Sequence, residues 1–370
     1  VDSILYYLGF NRVPGIGPAR LDRIITYCGS LEDAWNASAG DLMAAGLDNR
    51  SIESLVQTRR ALNLEAEYER VLATGIRLIS RDDPTYPMLL AQTVNPPFLL
   101  YVRGTLTETD RWAVAVVGTR QASTYGKEVT RKLVTGLVAA GVTIVSGLAL
   151  GIDAVAHSAA LAAGGRTLAV LGSGVDQIYP LTNYQLGTAI PQQGALISEY
   201  ALGTLPTATN FPPRNRLIAG LALGVLVIEA AAKSGALITA QFAAEQGRDV
   251  FAVPGNIFSQ RSEGTHRLIR DGATLVTCVD DILEALNLQS AYEQQELVAV
   301  VPDTPEEKAL LHLVEAEPRH IDEIARESTL PQPVVSATLA MLELKGLVRH
   351  VGGMQYILVR EEAVPYQIEE

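Results

Sequence analysis

Cysteine is nearly absent: Cys28 and Cys278 are the only two in 370 residues. They lie far apart with no second thiol near either, so neither a disulfide framework nor a thiolate zinc site is expected, and a reducing cytoplasm is the expected compartment. Long hydrophobic runs are missing too. The longest, Leu217 to Ile228, is too short and too rich in glycine to span a bilayer, and the opening Val-Asp-Ser-Ile-Leu has no basic flank for a signal peptide. No membrane partner is expected. Positive charge is also scarce, with 29 Lys and Arg against 41 Asp and Glu, a net charge of −12. Taken alone, that balance opposes a polyanionic ligand, because phosphate contacts need cations.

The distribution of charge reverses this inference for one segment. Residues 1–111 carry 11 basic and 14 acidic side chains, residues 281–370 carry 6 and 17, and residues 112–280 carry 12 and 10. The acidity is concentrated in the tail, and the middle is where an anion is least opposed.

At this length and 48% hydrophobic content, two or three domains are expected. The middle segment alternates short apolar runs with helical patterns, as crossover units of a parallel sheet do. Six or seven strands are expected there, most clearly Trp112 to Val117, Thr143 to Ser146, Thr167 to Leu171, Val225 to Glu229 and Val250 to Val253. Ser123 to Ala139, Ile152 to Ala162 and Ala236 to Glu245 have the spacing of helices covering that sheet. Strands apolar on both faces predict an α/β class with a doubly wound parallel sheet. Residues 1–75 read as a helical domain, and Pro14-Gly15-Ile16-Gly17-Pro18-Ala19-Arg20 suits either a phosphate-facing helix-hairpin-helix or an ordinary helix-helix turn. Residues 76–288 form the α/β domain, and residues 289–302, including the polar Gln289 to Glu296, read as a linker. In residues 303–370, Thr304-Pro305-Glu306-Glu307 is a capping box, Ile321 to Glu327 and Val334 to Leu344 give two more helices, and Leu347 to Val359, broken by Gly352-Gly353, reads as a hairpin. Three helices and a hairpin predict a winged helix.

The chemistry is expected at the carboxyl ends of the parallel strands. Several of those ends run into glycine: Gly118-Thr119-Arg120, Ser146-Gly147-Leu148 and Gly172-Ser173-Gly174. Glycine lets backbone approach a ligand, and each following helix offers free N–H groups to an anion. Tight strand-to-helix turns explain any one of these alone and explain three together, with Arg120, less well. A second cluster, Phe211-Pro212-Pro213-Arg214-Asn215-Arg216, combines an aromatic that can stack, a guanidinium that can fork onto phosphate and an amide that can brace a base edge. Its alternative is that Asn215 and Arg216 lock the loop onto the sheet. Lys233-Ser234-Gly235 opens a further helix, again suited to an anion.

Other chemistries fit poorly. The first loop lacks G-x-G-x-x-G and the second strand ends in Ser146 rather than an acid, which argues against NAD; neither a Walker A loop nor G-x-S-x-G occurs. No cofactor and no catalytic residue is expected. Asp153 and His157 lie one helical turn apart, but no nucleophile is spaced to join them, so a helix-start acid beside a packed histidine is the preferred reading. Asp176, Glu199 and Glu229 lie near strand ends, with nothing in their spacing that demands a metal.

A series of ordered motifs carries a family resemblance. It runs through Asp83-Pro84-Thr85-Tyr86-Pro87, Pro96-Pro97-Phe98-Leu99-Leu100-Tyr101, Val117-Gly118-Thr119-Arg120, Ser146-Gly147-Leu148-Ala149 and Gly151-Ile152-Asp153. It continues with Gly172-Ser173-Gly174-Val175-Asp176, Tyr179-Pro180, Ser198-Glu199, Phe211 to Gly220, Lys233 to Ala240 and Val253-Pro254-Gly255. Over residues 80–280 the chain resembles the DprA or Smf family, the DNA-processing proteins of natural transformation. The resemblance implies a Rossmann-like domain that binds single-stranded DNA more strongly than duplex, forms a homodimer, protects incoming DNA and helps load the RecA recombinase, with no enzymatic reaction. It implies that Arg120, Arg214 and Asn215 belong to the DNA pocket, and the strand-end and helix-start reading adds Gly118, Ser146, Gly147, Gly172, Gly174, Phe211, Lys233, Ser234 and Gly235 as candidate DNA-binding residues. It also implies a SAM-like N-terminal domain and a winged helix of the DML1 type. Where many relatives carry a basic residue after Tyr179-Pro180, this chain has Leu181-Thr182-Asn183, so no cation is expected from that loop. With 17 acids to 6 bases in residues 281–370 and only Lys345 at the end of its third helix, the winged helix reads as a protein-contact or regulatory module. Two alternatives differ in class. Rossmann-like nucleotide phosphoribohydrolases carry a Pro-Gly-Gly-x-Gly-Thr loop that is missing here, and a duplex-binding regulator would need groove contacts from residues 300–370.

Overall fold

The computed structural model describes residues 2–288, 304–314, 318–328, 330–344 and 348–358. They fall into two compact units, residues 1–287 and 288–370. The expected linker and Lys345 lie outside the described residues.

The first unit opens with six helices, α1 (Asp2–Asn11), α2 (Pro18–Cys28), α3 (Leu31–Asn36), α4 (Ala39–Ala44), α5 (Asn49–Ala61) and α6 (Leu64–Leu72). Their starts are written in the sequence: the side chains of Ser30, Ser38, Asp48 and Asn63 each accept a backbone N–H of the first turn. Phe10 and Trp35 meet edge-to-face at 5.2 Å in a core that continues without a break into Phe98, Leu99, Tyr101 and Leu196 of the sheet. Tyr101 donates to Asn11 Oδ1 at 3.0 Å and Asn11 Nδ2 to the Glu199 carbonyl at 2.9 Å. The helical layer therefore shares its core with the sheet.

The sheet has nine strands: β1 (Arg77–Ser80), β2 (Leu99–Gly104), β3 (Ala113–Val117), β4 (Thr143–Ser146), β5 (Thr167–Val170), β6 (Gly194–Ser198), β7 (Gly224–Val227), β8 (Asp249–Ala252) and β9 (Thr274–Leu275). Their order is β1-β2-β6-β5-β4-β3-β7-β8-β9. From β6 through β9 every pair is parallel; β2 joins β6, and β1 joins β2, antiparallel. All residues of β3, β4, β5, β6 and β7 are buried, which requires cover on both faces. Each fully buried Val, Leu or Ile contributes about 1.5–3 kcal/mol. The cover includes α8 (Thr124–Ala139), α9 (Ile152–Ala162), α11 (Phe211–Gly220), α12 (Gly235–Glu245) and α13 (Glu263–Arg270), with the shorter α7 (Met88–Ala91), α10 (Tyr184–Ala189) and α14 (Asp280–Ala285) completing the unit. The antiparallel pair β1-β2 was not foreseen, because the expected strands began only at Trp112 and the pairing of β1 and β2 is antiparallel at the edge of an otherwise parallel sheet.

In the second unit, helices Pro305–Leu311, Ile321–Ser328 and Gln332–Leu344 pack Leu310, Ile324, Val335, Leu339 and Leu342 into a core of their own. Strands β10 (Arg319–His320), β11 (Val348–His350) and β12 (Gln355–Leu358) form a sheet in the order β10-β12-β11. This is the expected winged helix, with Gly352 and Gly353 at positive φ in the hairpin turn. No helix among the described residues is long and apolar enough to cross a membrane.

Candidate nucleic-acid interface

Successive parallel strands step outward from β3 through β4 and β5 to β6, then β7 begins again on the other side of β3. The carboxyl ends of β3 and β7 therefore flank the switch point where helices depart to opposite faces and leave a crevice. A cavity of about 470 Å³ lies there, its lining including Gly118, Arg120, Asp153, Tyr179, Phe211, Arg214, Asn215, Ser234 and Gly235.

Two glycine loops shape its rim. After β3, Gly118 lies so close to α9 that a Cβ would come 2.6 Å from Ile152 Cγ1. Gly151, at φ +79°, would place a Cβ 2.2 Å from the Thr119 carbonyl oxygen, so only glycine lets the two loops abut. The Ile152 N–H then donates to Thr119 O at 3.2 Å. This fixes the backbone beside Arg120 and leaves its side chain exposed, with no acidic partner among the described residues. The Arg120 guanidinium carbon sits 5.7 Å from the centre of the Phe211 ring.

Phe211 opens α11 and is enclosed on several sides. Tyr179 stacks on it at 5.9 Å, Arg214 lies 5.8 Å from its centre, and a Cβ on Gly172 would meet its Cδ1 at 2.8 Å. Arg214 is buried. Its Nη1 donates to the Gly147 carbonyl at 2.8 Å and to the Val170 carbonyl, and its Nε donates to Asn215 Oδ1 at 3.2 Å. A Cβ on Gly147 would lie 2.7 Å from Arg214 Nη2, so a side chain there would displace the guanidinium from this seat. Burial pushes the Arg214 pKa down to about 10, opposed by the charge of Asp153, so the group stays cationic at neutral pH. Asp153 accepts the N–H groups of Gly147 at 3.1 Å and Ala149 at 3.3 Å; burial raises its pKa, against the pull of Arg214 and these bonds. Asn215 Nδ2 reaches the Gly235 carbonyl at 3.4 Å, tying α11 to the start of α12, where Ser234 accepts the Ala236 N–H at 3.3 Å.

Of the sequence candidates, Gly118, Arg120, Phe211, Arg214, Asn215, Ser234 and Gly235 line the cavity. Gly147 lines a small adjoining recess, and Gly172 stands against the Phe211 ring. Three fall elsewhere. Ser146 is wholly buried, its hydroxyl donating to the Val116 carbonyl at 2.7 Å within the sheet. Gly174 serves the turn against Asp176 and Ala201, and Lys233 lines a different groove on the outer side of α12. Tyr179, Asp153, Ile238 and Thr239 line the cavity without having been singled out for it. Ile238 and Thr239 stand one turn past Gly235 on α12, a helical spacing that would have exposed them.

The remaining polar residues settle into structural roles. Arg216 pairs with Glu199 and donates to the Asn95 carbonyl at 3.1 Å, the loop-locking alternative. Glu229 accepts Ser123 N–H at 2.9 Å, and Asp176 accepts Gly203 N–H at 3.0 Å. His157 is wholly buried with Nδ1 2.7 Å from Thr167 Oγ1, and burial holds its pKa down to about 3, so it packs as a neutral side chain. Asn183, in the loop that lacks a cation, bonds the carbonyls of Leu148 and Ala149 at 3.0 and 3.2 Å.

Fold and site together define a Rossmann-like protein whose switch-point cavity has cations and aromatics in place of the usual nucleotide loops. The chain belongs to the DNA recombination-mediator protein A family, the DprA or Smf proteins: that family's model matches residues 77–287, and the DprA winged helix domain matches residues 294–354. It is 37% identical to Protein Smf of Synechocystis sp. over 390 residues, covering 95% of this chain and 98% of that one. With Protein Smf of Escherichia coli it shares 43% over 289 residues, 75% of this chain and 76% of the relative. Among solved structures, DNA processing protein A of Streptococcus pneumoniae aligns with a TM-score of 0.67 and 37% identity, covering 76% of this chain and 97% of that one. The protein of the same name from Helicobacter pylori, whose structure concerns its single-stranded DNA binding mode, aligns at 0.52 and 29%, covering 57% and 95%. This is a DNA-processing protein.

Proposed function

We propose that the chain is a cytoplasmic recombination mediator that binds single-stranded DNA in the switch-point cavity. By family likeness, it protects incoming DNA during natural transformation and helps load RecA, acting as a homodimer through its Rossmann-like domain and without catalysing a reaction. Single-strand binding is carried by Arg120, a solvent-facing guanidinium without an acid partner among the described residues, held over the Phe211 ring at the cavity mouth. A charge so placed suits a phosphate, and the Tyr179-Phe211 pair beside it suits an unpaired base. Gly118, Asn215, Ser234 and Gly235 complete the wall; Gly147 and Arg214 support it from beneath. The functional division follows the reading of residues 1–75 as a helical layer, 76–288 as the DNA-binding domain, 289–302 as a linker and 303–370 as a winged helix.

The test is competition between single-stranded and duplex oligonucleotides of one sequence at two salt concentrations. Tighter single-strand binding that weakens with salt is expected. Equal or stronger duplex binding, or nucleotide turnover during incubation, overturns the reading.

A further inference from the structure

Beyond the cavity, the carboxyl edge of the sheet presents a second aromatic with no role in packing. The loop after β8, Pro254 to Arg261, carries Ile257 at 78% exposure and Phe258 at 90%. Single exposed apolar residues are common, but two adjacent ones at the tip of a well-anchored turn are a heavier exposure than folding requires. The anchoring is explicit. Tyr125 donates to the Pro254 carbonyl at 2.8 Å, His266 Nε2 lies 3.0 Å from Gly255 O, and the Ala230 N–H donates to Arg261 O at 2.7 Å. At the tip, the Phe258 N–H donates to Asn256 Oδ1 and the Ser259 N–H to Asn256 O, both at 2.9 Å.

The loop also adjoins the mouth of the cavity. Arg261 Nε donates to the carbonyl of Gln121 at 2.9 Å, and Gln121 follows Arg120 directly in the chain. Tyr125, which anchors Pro254, is itself half exposed. The edge therefore runs from Tyr179 and Phe211 to Arg120 and, through Gln121, to exposed Arg261, three residues along the same loop from Phe258. A strand that alternates phosphates and bases is matched by cations for the backbone and rings for the bases.

We propose that Phe258 is a second base-stacking platform, engaging nucleotides that leave the cavity past Arg120 and Arg261. This rests on the reading of the cavity as a single-strand site. Phe258 then sets how many nucleotides are held without touching the ones inside.

The experiment uses the full chain and two oligothymidylates, one just long enough to fill the cavity and one several nucleotides longer. Phe258→Ala is expected to weaken the longer strand by about five- to 150-fold, the range of one lost base stack, and to leave the shorter unchanged. Phe258→Leu, apolar but without a ring, should restore little. Phe258→Trp should show fluorescence quenching with the long strand and not the short. Arg120→Ala should weaken both. If Phe258→Ala alters neither length while Arg120→Ala weakens both, the platform is refuted and the cavity reading survives; if neither variant matters, both fall. If Phe258→Ala instead lowers the sedimentation coefficient while each protomer keeps its affinity for both lengths, a second copy of the chain occupies the loop and the proposal is wrong.

Discussion

The α/β unit and the winged-helix unit both have architectures found in DNA-binding proteins, and they differ in how particular cations are set. In the first, Arg120 projects without an acid partner among the described residues, and Arg214 is spent on backbone carbonyls beneath it. In the second, Arg319 pairs with Glu327 at 2.6 Å and His320 faces Asp322 at 3.4 Å. Helix Gln332–Leu344, the element a winged helix would lay in a groove, turns Val334 and Met341 outward. Architecture supplies a place for a ligand, and the side chains decide whether its chemistry is met. Among the described residues, a guanidinium without an acid partner at the edge of a cavity is found in the α/β unit.

The largest expected effect separates structure from binding inside that unit. Arg214→Ala removes the donors to Gly147 and Val170 and leaves the buried Asp153 without its countercharge. A loss of about 3–5 kcal/mol is expected in denaturant unfolding, because an uncompensated buried charge remains. Unchanged stability with abolished DNA binding would move Arg214 from support to ligand contact.

Next comes Arg120→Ala. Single-strand binding should weaken alike across sequences, by about ten- to 150-fold for one charge-assisted contact, and the log–log salt slope should fall by roughly 0.7. Melting temperature should barely move. Unaltered binding and slope with a marked loss of melting temperature would make Arg120 structural and erase the contrast between the units.

A smaller effect comes from pH. His157 has a folded pKa of about 3, well below its unfolded value, so the unfolded chain binds the extra proton between those limits. The stability it contributes is present above the unfolded pKa and is lost as pH falls through about 6 and below, by at most about 1.4 kcal/mol per pH unit. Thermal unfolding from pH 7.5 to 5 should show the decline, and His157→Asn should flatten it. The winged helix has no fully buried histidine among its described residues, so its own unfolding should lack this slope.

The smallest expected effect is on duplex affinity. Deleting residues 297–370 removes an acidic segment and should leave duplex binding unchanged or slightly tighter. A large fall would show that the winged helix gathers its few cations into a working patch.

Much of this was legible in the chain. β4 and α9 begin and end where their apolar pattern does, because a doubly covered strand and a sheet-packed helix need uninterrupted periodicity. The β1-β2 pair was not legible, since its partners are set by register across the sheet. Lys233 and Ser234 are neighbours in sequence, yet Lys233 faces only the outer groove while Ser234 borders the cavity as well. No local pattern separates them.

The sequence by itself determined the family, the α/β class, the winged helix and the glycine-bearing strand ends, because each is written in local spacing, in glycine and in the order of motifs. Only the tertiary structure decided which arginine is left without an acid partner among the described residues. Arg120, Arg214 and Arg216 all belong to cation-bearing motifs, but Arg214 is drawn under Gly147 toward buried carbonyls and Arg216 toward Glu199. Partners that satisfy a guanidinium come from distant segments, brought within reach only when the sheet order is complete.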